Sequence, residues 1–242
     1  MTPDNKFQLK TAQMDKAQAH AAGIDVGLRA YMLRVYNYMS LGLALTGAVA
    51  FAASTSQDLM QVIHGTQLRW VVMLAPIGFV LFLSARMHAM KPATAQMVFW
   101  VYAGAMGLSL SYIFLAYTGA SITRVFFITA ATFAGMSLYG YTTKRDLSGF
   151  GSFLMMGLIG IIIASVVNMF LQSSAMHFVI SVVGVLVFVG LTAYDTQAIK
   201  SMYSETDTGA TQEKKAIMGA LRLYLDFINL FIMLLSLFGN RR

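Results

Sequence analysis

Two carboxylates carry the chemistry this chain can do. Asp195, in Ala193-Tyr194-Asp195-Thr196-Gln197, and Asp226, in Leu223-Tyr224-Leu225-Asp226-Phe227, are the only two of its ten acidic residues inside long apolar stretches. An acid there is costly unless a partner satisfies it or a function uses it. Two carboxyl groups brought together away from water repel as a doubly charged pair and favour holding one proton between them. Losing that proton is relieved by separating the charges or by admitting a cation, and calcium prefers carboxylate and carbonyl oxygens. The pattern describes a pH-gated cation path, with Asp195 and Asp226 as proton sensor and transient calcium contacts. The same residues also admit a structural reading. Asp226 then pairs with Arg222 near the membrane interface, while Asp195 snorkels or meets Lys200.

Positioning such acids requires a membrane fold. Hydrophobic residues fill 57% of the 242 positions and charged residues 11%, a balance with which a soluble domain cannot cover its surface. Cysteine is absent, so no disulfide, thiolate metal site or cysteine nucleophile is proposed. Residues 1–29 set Lys6, Lys10, Lys16 and Arg29 against Asp4, Asp15 and Asp25 without an apolar core, and read as a polar cytoplasmic tail rather than a cleaved signal. A spanning helix needs about twenty apolar residues. Charge positions therefore divide 30–242, a single transmembrane domain, into spans at 35–57, 70–90, 93–117, 122–142, two within the uncharged 147–194, and 217–238. Pro76 is expected to kink the second, Thr118-Gly119-Ala120-Ser121 to turn tightly, and Gln172-Ser173-Ser174 to separate the fifth from the sixth. Lys200 to Lys215 reads as a solvated loop.

Short cytoplasmic loops carry the excess of Lys and Arg. With the amino terminus inside, 13 of the 17 basic residues lie on that side, leaving Arg69, Arg124, Arg241 and Arg242 outside. A seventh segment that dips in and returns would instead keep the terminal pair inside. Acidic lipid headgroups account for the net charge of +7, with no case for nucleic acid. At about 1.5 Å per helical residue, Asp195 and Asp226 fall roughly 6 to 14 Å inside the cytoplasmic boundary. Arg222 and Asn229, at i−4 and i+3 from Asp226, complete a polar stripe expected to face the bundle interior.

The segments Gly190-Leu191-Thr192-Ala193-Tyr194-Asp195-Thr196-Gln197 and Leu223-Tyr224-Leu225-Asp226-Phe227-Ile228-Asn229-Leu230-Phe231 resemble the two signatures of the Bax inhibitor-1 family, in its bacterial inner-membrane branch. The resemblance extends over about residues 28 to 242. It implies an all-α fold of seven transmembrane helices, six wrapped around a central seventh, in the cell inner membrane. It also implies a passive, pH-sensitive calcium leak sensed by the two aspartates, and a basic latch near the cytoplasmic end of the second helix. Arg86 is the match for that latch, with Lys91 as competitor.

A different class of function is a non-transporting regulator that docks on another membrane complex, such as a quality-control protease, through its polar tail and small-residue helix faces. Gly104 with Gly107 and Ser111, and Gly157 with Gly160 and Ala164, read as packing seams. No enzyme is expected. There is no Gly-x-Ser-x-Gly elbow, and neither aspartate is followed by the glycine that intramembrane aspartyl proteases usually need. No cofactor is expected, because His20, His64, His88 and His177 lack ligand spacing and the eighteen methionines suit packing. The partners foreseen are the lipid bilayer, calcium or protons, and that other membrane complex. Asp58 is the one acid foreseen in an external loop.

Overall fold

The computed structural model describes residues 25–86 and 89–242, and every element among them is helical. The expected tail therefore lies largely outside the described residues, as does His88 beside the expected latch. In chain order the helices are α1 (Val26–Ser54), α2 (Gln57–Gly65), α3 (Leu68–Arg86), α4 (Pro92–Leu110), α5 (Ile113–Ala116), α6 (Gly119–Thr142), α7 (Ser148–Leu171), α8 (Ser174–Ser201) and α9 (Gly209–Phe238). Among the described residues six spans are long and apolar enough to cross a membrane, with α4 and α5 counted together. The pair α2 and α3, bent by 79° at its break, makes a seventh if it is one span.

Local chemistry sets the ends. Asp25 opens α1 by accepting the Leu28 N–H at 2.8 Å, and Ser56, Ser173 and Thr208 cap α2, α8 and α9 in the same way. Pro92 stands in the first turn of α4, where its missing N–H costs nothing. Between α7 and α8 the chain turns at Gln172, whose φ of 50° is left-handed. That is the break foreseen at Gln172-Ser173-Ser174.

Several boundaries correct the sequence reading. The first helix starts at Val26 rather than near residue 35, because Asp25 caps it. Residues 57–65, read as external loop, form α2, so Asp58 stands in a helical first turn. The His64 Nε2 lies 2.9 Å from Ser111 Oγ, which holds α2 against the end of α4. The third span is interrupted at Ser111-Tyr112, and the tight turn shrinks to Tyr117-Thr118. The second half of the loop Lys200 to Lys215 is helical, since α9 begins at Gly209. Helix α3 runs through Pro76 and ends at Arg86.

Helix α9 is the axis. It packs on α8, α1, α6 and α4, while α3 packs chiefly on α4 and α2, and α7 on α8. Its side chains from Ala216 to Leu235 supply much of the buried core. Lipid tails are as apolar as leucine, so helices associate in a bilayer through close packing and hydrogen bonds rather than through the hydrophobic effect. Gly140 of α6 lies directly on the Ala193 carbonyl of α8, a contact with no room for a β-carbon. Tyr224 joins α9 to α4 and α1: its ring meets Phe99 at 6.1 Å and Tyr102 at 5.6 Å edge to face, and its hydroxyl lies 2.7 Å from Thr46 Oγ1. Of the glycines foreseen as seams, Gly107 and Gly157 touch neighbouring helices, whereas Gly104 and Gly160 face open space.

Candidate functional site

Three consecutive polar residues of α8 point to three neighbours. Asp195 reaches α9, where its carboxyl group stands within hydrogen-bonding reach of that of Asp226. Thr196 Oγ1 lies 3.0 Å from Ser137 Oγ on α6, which in turn lies 2.6 Å from Tyr36 Oη on α1. Gln197 clamps the turn between α6 and α7, accepting the Leu147 N–H at 2.8 Å and donating to the Arg145 carbonyl at 2.8 Å. In that turn the Asp146 carboxylate is held below its usual range by hydrogen bonds that it accepts from the Ser148 hydroxyl and backbone N–H.

The two acids share a contact but not an environment. Asp226 is buried at 4% exposure, and its Oδ2 has no hydrogen-bond partner. Asp195 is half-buried and has the Arg222 Nη1 3.9 Å from its Oδ1. The alternative structural reading paired Arg222 with Asp226, one turn along the same helix; the structure sends the arginine across to α8. Lys200, the other foreseen partner of Asp195, instead donates to the Tyr141 carbonyl at 2.9 Å.

Asp195, Asp226, Arg222 and Asn229 all border one cavity of about 610 Å³. Its walls come from α3, α4, α7, α8 and α9, with Pro76 and Ile77 on one side and Leu158 and Ser165 on the other. The polar stripe foreseen on α9 thus opens into this hollow. Asn229 spends one amide hydrogen on the Leu225 carbonyl, at 2.8 Å. Arg86 is exposed at the end of α3 and does not border the cavity, and Lys91 is exposed at the start of α4. The cation beside the pair is Arg222.

Farther along α9 a second hollow of about 330 Å³ is bordered by Tyr112, His177, Ser236 and Arg241, and Ile232 borders both. His177 Nε2 lies 2.8 Å from Ser236 Oγ there. The chain end is pinned beside it: the Thr118 N–H donates to Asn240 O and the Arg242 N–H to Ala116 O, each at 3.1 Å. Helix α9 therefore crosses the whole bundle, and the alternative of a seventh segment that dips and returns does not match this path. Among the described residues no group of three His, Cys, Asp or Glu converges as a resident metal site would require.

Sequence reasoning missed the roles of Thr196 and Gln197, although both stood in the quoted motif. It also missed Glu213, which takes Arg34 at 2.9 Å and the Tyr38 hydroxyl where a loop had been expected.

A bundle of membrane-crossing helices around a central one, with two acids in contact at its axis, defines a polytopic all-α membrane protein. The profile of the family described as inhibitor of apoptosis-promoting Bax1 matches residues 28–242. The chain belongs to the Bax inhibitor-1 family. It is 49% identical over 219 residues to the inner membrane protein YbhL of Escherichia coli K12, covering 89% of this chain and 94% of that one. It is 51% identical over 218 residues to protein RP147 of Rickettsia prowazekii, covering 90% and 92%. A Caulobacter vibrioides protein is 46% identical over 250 residues, covering 98% and 99%.

Proposed function

We propose that this chain is an inner-membrane protein that passes calcium or another hard cation passively, its amino terminus facing the cytoplasm, with flux set by protonation of Asp195 and Asp226. The observation that carries the reading is the contact of these two carboxyl groups at the wall of a membrane-depth cavity. One proton held between them makes a compact, hydrogen-bonded pair that keeps α8 against α9. When the proton leaves, two negative charges face a largely apolar hollow, and Arg222 offsets only one of them. The remaining charge attracts a cation. Two carboxylates without a third acid fall short of the six to eight oxygens calcium takes in a tight site, which suits passage rather than storage. Ile232, between the two hollows, is the apolar constriction a cation must pass. Outward displacement of α3, the wall with few packing partners, would widen the path.

The reading is of a channel-like, non-enzymatic protein, and it is tested in liposomes. Calcium flux through the purified protein should rise with pH, and Asp195→Asn and Asp226→Asn should each flatten that rise. An unchanged pH response in both variants would sink the gating role.

A further inference from the structure

The structure also holds a groove on the far side of α9. Helices α1 and α6 border a cleft of about 1010 Å³, with Phe227 of α9 on its floor, and the two walls are not a packed pair. Its lining includes small residues on both walls: Ser40, Ala44 and Gly47 on α1, and Ala130, Ala134 and Ser137 on α6. Small residues at helical spacing ordinarily let two backbones approach. Here they do not, because a β-carbon at Gly47 would meet nothing within 4 Å. The stripes keep a slot open rather than a seam closed.

The slot has a charged end. Arg29 is exposed at its mouth, and Lys200 Nζ stands 5.0 Å from the ring centre of Tyr141, which lines the same end. Away from that mouth the lining is apolar, save for the hydroxyls of Ser40, Tyr36 and Ser137, the last two of which satisfy each other. From Arg29 to Ala48 the groove follows α1 for about 28 Å, more than the hydrocarbon depth of a single leaflet, so one acyl chain and its glycerol fit within it. Cations at one end of a chain-length apolar slot complement a phosphate headgroup.

We infer that the α1–α6 groove is a binding site for one anionic phospholipid of the leaflet at the Arg29 end, its acyl chain lying over Phe227 and its phosphate at Arg29. The occupant would lie one residue along α9 from Asp226, and Thr196, beside Asp195, is hydrogen-bonded to the groove's Ser137.

The test is native mass spectrometry of the intact protein released from vesicles of equal phosphatidylglycerol and phosphatidylethanolamine. The wild type should retain one lipid, preferentially phosphatidylglycerol. Arg29→Gln should lower the preference about fivefold, the effect expected of one interfacial cation. Ala134→Trp, which fills the slot from an exposed position, should lose retention of both lipids. A thermal melt unchanged from wild type checks that the variant is folded; if it is not, Gly47→Leu fills the slot from the opposite wall. Equal retention of the two lipids by the wild type, or undiminished retention by a folded slot-filled variant, overturns the site and leaves only annular lipid.

Discussion

Asp226 and Phe227 are adjacent on one helix, yet they border two different hollows. Each hollow lies between a pair of helices that do not pack closely, α3 and α7 for one, α1 and α6 for the other, with α9 as floor. Shape is common to both, and what separates them is charge. The first holds two acids and an arginine within its walls, whereas the second has its charge at the mouth and only hydroxyls within, Tyr36 and Ser137 bonded to each other. In a bilayer a gap between helices is filled by lipid unless ionisable groups make water or ions the better occupant. A gap becomes a site through the residues that line it.

The contrast can be broken at the wall the two hollows share. Gly140 of α6 abuts the Ala193 carbonyl of α8, and α6 walls one hollow while α8 walls the other. Gly140→Leu should cost about 1–3 kcal/mol through overpacking, read as a lowered thermal transition in detergent. Next in size, the double variant Asp195→Asn with Asp226→Asn should erase the pH response of calcium flux, a loss of at least about tenfold at high pH. The lipid retained in the α1–α6 groove should not change, and a parallel loss of both would show that the hollows are one. Widening the constriction with Ile232→Ser should raise flux about fivefold, measured in the same vesicles. Arg222→Gln should raise flux about threefold at high pH by leaving the Asp195 charge uncompensated for the cation, with Arg222→Lys near wild type. The smallest effect concerns neither hollow. Glu213→Gln breaks a pair whose arginine is 45% exposed, and should cost about 0.5 kcal/mol.

The spans were legible because charges are excluded from hydrocarbon, and those charge-free runs fix the helices more firmly than any propensity. What escaped were helices that do not need an apolar run. Residues 57–65 look like loop by composition, yet Ser56 as a cap and Asp58 in the first turn are start signals, and packing through His64 onto Ser111 completes the choice. Thr208 likewise announced the early start of α9. The two acids were legible from their depth. The alternative that paired Arg222 with Asp226 gives way to Asp195, because spacing along a single helix makes an i−4 neighbour look nearest while the partner across the interface is invisible. Arg86, matched to the latch through the family resemblance, stands exposed at the end of α3 and does not border the cavity: a helix end says which side of the membrane a residue occupies, not which way it turns.

Helix α9 is fastened at both ends, by Glu213 to Arg34 and Tyr38 of α1 at its start, and by backbone bonds from Asn240 and Arg242 to the turn between α5 and α6 at its finish. A rod tied at both ends is a stator. Held at both ends, α9 has less freedom to shift than α3 and α7, each resting on few neighbours, so reporters of motion belong on those two helices. A tag fused after Arg242 would pull on the anchor itself.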